Sequence, residues 1–124
     1  MEVSRWRKMN KLSFDLDKAL DIVDQDKEFL KELMEIFNSD YPKKLAAIYQ
    51  SIKKEDFKTL NEIAHSLKGA AGNLFLTKAY ELALELEKRG KENKIEGTEE
   101  IYKELEEELE KFKEFVSQPR WWKR

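Results

Sequence analysis

Apolar residues return at three- and four-residue intervals along most of this chain, a period that leaves little room for anything but packed helices. The stretch from Asp56 to Phe75, DFKTLNEIAHSLKGAAGNLF, shows it most clearly. Wound at about 100° per residue, it gathers Leu60, Ile63, Ala64, Leu67, Ala71 and Leu74 on one side. His65, the only histidine, falls almost opposite the middle of that stripe, among Asn61, Lys68, Gly69 and Gly72. The sequence thus predicts a helix with an apolar face turned inward and a titratable ring displayed on a polar face of little bulk.

The same period places the other elements. Ser13 is a candidate N-cap for a helix with Asp15 at its positive end and Leu16, Ala19, Leu20 and Val23 as its stripe, stopped by Asp24, Gln25 and Asp26. Asp26 suits the N-cap of a second helix, whose buried face is expected to use Phe29, Leu30, Leu33, Met34, Ile36 and Phe37. Pro42 interrupts the pattern, and Leu45, Ala46, Ile48, Tyr49 and Ile52 resume it, as one kinked helix or as two. KKED at 53–56 reads as a short connector ending on Asp56, the cap of the histidine-bearing helix. Thr77 is the expected N-cap of the next helix, with Ala79, Tyr80, Ala83, Leu86 and Leu82 inward. GKENKIEG, 90–97, reads as a loop, after which Thr98 is expected to cap a last helix carrying Ile101, Leu105, Leu109, Phe112 and Val116 and ending at Gln118 and Pro119. Short links favour antiparallel neighbours. The expected fold is all-α: an antiparallel, up-and-down four-helix bundle over residues 13–117, with additional N-terminal helical material or an arm at 1–12 and a tail at 118–124.

Composition removes several kinds of chemistry. The 24 basic and 26 acidic side chains interleave to a net charge of −2, so no field points to nucleic acid. With no cysteine there is neither disulfide nor thiolate metal site, and no run approaches the roughly 20 apolar residues of a membrane span. The expectation is a soluble, cytoplasmic protein, and its charged outer faces favour a monomer. Trp6, Trp121 and Trp122 sit among arginines and lysines in both termini. They suit covers for the ends of the bundle, or else a contact with a partner or a membrane surface.

A single histidine without a partner histidine or cysteine excludes most metal sites, including the paired Glu-x-x-His arrangement of di-iron bundles. Ser66 projects about 100° from His65, so the pair is not a nucleophile and its base. Glu62, three residues before His65, is a candidate partner for the ring. Gly69 and Gly72 follow no strand, so they form no phosphate loop. A glycine inside a helix costs about 1 kcal/mol relative to alanine, and two on one face call for a reason. Close packing is one. A surface kept flat for another protein's approach to the imidazole is the other, and it suits a face opposite the apolar stripe.

AHSLKGAAGNL, residues 64–74, resembles the H-x-L-K-G signature of histidine-containing phosphotransfer domains, with its following small residues and N-L pair. FLKELMEIFNSDYPKKLAAI resembles that family's preceding helix and LELEKRGKEN its following Leu-Glu-x-x-x-Arg stretch, so the likeness spans roughly residues 14–116. It implies a phosphorelay intermediate of two-component signalling, without a kinase site of its own. His65 would accept a phosphoryl group from an aspartate of a response-regulator receiver domain and donate it to another, with histidine kinases as further partners. In that scheme Lys68 offsets phosphoryl charge, Gly69 and Gly72 admit the partner, and Asn61 is a hydrogen-bond partner for the ring. No cofactor is expected on this chain, the Mg²⁺ belonging to the receiver. Phe75 departs from the family, which commonly has glycine after N-L. A second reading keeps the bundle as a non-catalytic protein-binding module, natural or engineered, with Phe75, Trp121 and Trp122 as anchors; a third makes the chain a phosphoacceptor domain cut from a larger histidine kinase.

Overall fold

The structure, a computed structural model, describes residues 12–118; the expected arm at 1–12 and tail at 118–124 lie outside them but for residues 12 and 118, and so do the three tryptophans. Among these residues five helices follow in order: α1 (Leu16–Ile22), α2 (Lys27–Lys54), α3 (Phe57–Asn73), α4 (Thr77–Glu92) and α5 (Thr98–Ser117). No strand occurs among the described residues, and no helix there is long and apolar enough to cross a membrane. Helices α2 to α5 close a ring in which α2 packs on α3, α3 on α4, α4 on α5 and α5 back on α2, while α1 leans on α2. This is the expected all-α four-helix bundle with a further N-terminal helix.

Pro42 does not divide α2. A proline inside a helix costs about 3 kcal/mol. Here the buried stripe Leu30, Met34, Phe37, Tyr41, Leu45, Ile48 and Ile52 runs on either side of it at helical spacing. Each large apolar side chain so buried contributes roughly 1.5–3 kcal/mol, enough together to hold the helix through the break. Phe29 and Ile36, expected on this face, are instead 47% and 64% exposed, because they flank the stripe that Leu30, Met34 and Phe37 already fill. Opposite, α3 buries Leu60, Ala64, Leu67 and Ala71, with Ile63 only partly covered. From α5 come Leu105, Leu109 and Phe112, the last stacked edge-on against Phe37 at 5.1 Å.

The caps divide into two groups. Asp26 and Asp56 cap as expected, accepting from the backbone N–H groups of Phe29 and Thr59 at 3.0 and 3.2 Å. Ser13, Thr77 and Thr98 do not. Asp15 caps α1, Leu76 occupies the cap position of α4 without a side-chain bond, and Gly97 caps α5. Ser13 lies two residues before the cap of α1, and Thr77 and Thr98 are already the first residues of their helices. Ser13 N–H donates to Glu108 and Thr77 N–H to the Ser13 carbonyl, while the Thr98 hydroxyl bonds the Ile95 carbonyl at 2.7 Å. Two linkers shrink as well: Lys53 and Lys54 belong to α2, and α4 continues through Gly90 to Glu92 before Asn93 turns left-handed at φ 56°. Tyr80, predicted inward, is 38% exposed.

One consequence shapes the end of α3. Residues 13–15 form a strap across it: Asp15 N–H donates to the Phe75 carbonyl and Thr77 N–H to the Ser13 carbonyl, both at 3.0 Å. Phe14 stacks edge-on against Phe115 of α5 at 5.3 Å. The turn thus held puts Phe75 at φ +60°, which supplies a physical reason for glycine to be common there, since only glycine adopts that conformation freely. The Phe75 ring is partly buried against the core.

Candidate functional site

Helices α3 and α4 form a hairpin joined by the three residues Leu74–Leu76. In such a hairpin, residues equally far from the turn face each other. Counting from Leu76, His65 lies eleven back and Glu87 eleven on, and the structure brings them together: His65 Nδ1 is 2.7 Å from Glu87 Oε2. Lys68, one turn along from His65, sets its ammonium 2.8 Å from the other oxygen, Oε1, as an ion pair. The Asn61 side-chain amide donates to the Glu87 backbone carbonyl at 2.9 Å.

These contacts fix the chemistry of the ring. The bond from Lys68 and then that from His65 hold the Glu87 carboxyl below the usual glutamate range against the opposing effect of burial, so it is ionised near neutral pH. A carboxylate only accepts; Nδ1 therefore carries the hydrogen, and in the neutral tautomer so defined Nε2 keeps the lone pair. The His65 side chain is 67% exposed, whereas those of Glu87 and Lys68 are each 18% exposed. Lys68 is in turn held above the usual lysine range, first by its bond to Glu87. In that tautomer a nucleophilic nitrogen lies on an exposed side chain with a cation one turn away.

Of the residues expected here, His65 and Lys68 come together as anticipated, but through Glu87. Glu62 is exposed, and the carboxylate on the ring is not its own. Asn61 bonds α4 and not the imidazole. The two glycines differ. A Cβ on Gly69 would meet nothing within 4 Å, so the face beside His65 is open. A Cβ on Gly72 would lie 3.1 Å from the Tyr80 ring, so that glycine serves helix packing. Phe75 sits two residues beyond the helix end, partly buried against the core. Among the described residues no group of three histidine, cysteine, aspartate or glutamate side chains is placed to hold a metal ion.

An exposed histidine presented on a four-helix bundle, with its far nitrogen free and a lysine alongside, defines a histidine-bearing helical module. A family model, Hpt domain, matches residues 32–115, and the chain belongs to that family. Two solved structures share its fold. One is the histidine-containing phosphotransfer protein B (HptB) from Pseudomonas aeruginosa PAO1, with TM-score 0.80 at 18% identity over 87% of this chain and 94% of that one. The other is the HPT domain of the Hpt sensor hybrid histidine kinase from Shewanella, with TM-score 0.74 at 22% identity over 87% and 93%. No curated protein sequence matches the chain. Family membership supports histidine phosphotransfer in a two-component phosphorelay, a role in which Hpt domains act without a kinase site of their own.

Proposed function

We propose that His65 is the phosphoacceptor, and that its Nε2 exchanges a phosphoryl group with aspartates of receiver domains. The observation that carries this is the division of labour on the ring: Nδ1 is engaged by Glu87 while the imidazole stays 67% exposed. In the forward step the Nε2 lone pair attacks the phosphorus of an aspartyl phosphate. A P–N bond forms, the P–O bond to the aspartate breaks, and the carboxylate leaves with the electron pair. The ring gains positive character as it is phosphorylated, and Glu87 at Nδ1 offsets that charge. Lys68, shared with Glu87, lies one turn away to meet the phosphoryl oxygens. The return step runs the same bonds backwards. The Mg²⁺ of the reaction is assigned to the receiver's acidic pocket, and the open surface at Gly69 to the approach of that partner.

The test uses phosphoramidate, which donates a phosphoryl group to imidazole with loss of ammonia, followed by a panel of receiver domains. The expected result is acid-labile label on the wild-type chain that is absent from His65→Gln and is discharged by at least one receiver. Equal label on the two proteins would overturn the assignment.

A further inference from the structure

Gly90 was expected in a loop, yet it is buried inside α4 at a close approach of two backbones. A Cβ there would stand 2.7 Å from the Asn61 nitrogen, 2.9 Å from the Asn61 Cα and 2.9 Å from the Phe57 carbonyl oxygen. None of these is the end of a flexible side chain, so α3 and α4 sit together here only because residue 90 has no side chain. The Asn61 amide spans the same crossing to the Glu87 carbonyl at 2.9 Å. Asn61 precedes His65 by one helical turn and Gly90 follows Glu87 by nearly one, so the crossing lies next to the contact between the ring and the carboxylate. At the other end of the hairpin Gly72 admits the Tyr80 ring. The site lies between a backbone-to-backbone contact and a glycine-to-ring contact.

We infer that the Asn61–Gly90 crossing is a positioning device for the proposed phosphoacceptor, setting the helix spacing at which the Glu87 carboxylate meets His65 and Lys68 together. This rests on the assignment of His65 made above. A Cβ at 90 must push the helices apart by about 1 Å to reach ordinary contact distance. That displacement acts on a bond of 2.7 Å and an ion pair of 2.8 Å at once. Neither Asn61 nor Gly90 touches the phosphoryl group; they act through Glu87.

His65 is the only histidine, so its ring nitrogens can be followed without ambiguity by long-range ¹H–¹⁵N correlation at about pH 8.5, where an imidazole is neutral. In the wild type one nitrogen should be protonated and the other not. In Gly90→Ala the two ¹⁵N shifts should move toward each other as the tautomers mix, and the rate of labelling by phosphoramidate should fall by roughly tenfold. In a Glu87→Ala background Gly90→Ala should change neither reading further. Asn61→Ala, which breaks the amide bond and adds no bulk, should change both in the same direction by less, and it carries the test if circular dichroism shows Gly90→Ala unfolded. Ring signals that stay at their wild-type values overturn the inference. So does an equal loss in the Glu87→Ala background, which would place the effect outside the carboxylate. If the wild type takes no label, the phosphoacceptor assignment fails, while the ring spectra still decide this one.

Discussion

Glu87 and Glu108 are the same chemical group with a lysine beside each, and they are held in opposite ways. The Glu87 side chain is 18% exposed and holds two side chains of another helix, His65 and Lys68. Glu108 is 1% exposed and accepts from the Ser13 backbone N–H at 2.9 Å, with Lys111 of its own helix at 3.5 Å. A carboxylate near water can answer a change of charge on its partner, because solvent relaxes around it. A carboxylate sealed in the bundle meets a fixed set of donors and serves the fold. One carboxylate orients an exposed imidazole, and the other fastens the strap that crosses the exit of that imidazole's helix.

The largest effect should therefore come from the residue farther from the chemistry. Glu108→Ala leaves the Ser13 N–H without its acceptor and empties a filled site, and should destabilise the protein by about 3 kcal/mol. Urea unfolding measures it as a lower midpoint. The rate of His65 labelling per folded molecule should remain near wild type. A labelling loss as large as that of Glu87→Ala, in protein still folded, would erase the distinction between the two carboxylates.

The strap offers a second, smaller effect. It bonds the Phe75 carbonyl and so holds a residue at φ +60°, where a side chain beyond glycine is strained. Phe75→Gly and Phe75→Ala both remove the ring and differ mainly in tolerance of that backbone. The glycine variant should be the more stable by about 1 kcal/mol in urea or thermal unfolding. The gap should narrow in Glu108→Ala, where the strap is loosened. An unchanged gap would mean that the turn holds itself and owes nothing to Glu108.

These residues also mark where sequence reasoning succeeds and stops. The stripe of α3 and the caps Asp26 and Asp56 were legible because each depends on residues within one or two turns. Ser13, Thr77 and Thr98 carry the right side chains for capping and do not cap: Ser13 is tied by its backbone into the strap before α1 begins, and Thr77 and Thr98 are already the first residues of their helices. Gly90 was expected to open a loop and lies inside α4; a glycine near a charged stretch fits a turn as well as it fits a close backbone approach. Glu87 was missed because it is 22 residues from His65 and joins it only through the register of the hairpin. The signal was nevertheless present. Once a short turn near Leu76 and antiparallel helices are accepted, equal counting from that turn pairs position 65 with 87.

The smallest effect is the contribution of Glu87 to stability, and its pH dependence gives it away. The group is partly exposed, and ion pairs of that kind are screened by water and salt, so Glu87→Gln should shift the unfolding midpoint at pH 7 far less than Glu108→Ala does. The folded-state pKa of Glu87 is depressed. Its stabilisation is thus fully present above the ordinary glutamate value of about 4.3 and is lost as pH falls through the lower folded value. Lys68 shifts the opposite way: its raised pKa keeps its share present below the ordinary lysine value of about 10.4, to be lost as pH rises through the folded one. The stability difference between wild type and Glu87→Gln should form a plateau at intermediate pH and shrink on both sides. Urea titrations at several pH values measure it. A difference that persists undiminished below the acid edge would show that Glu87 acts by packing and not by its charge.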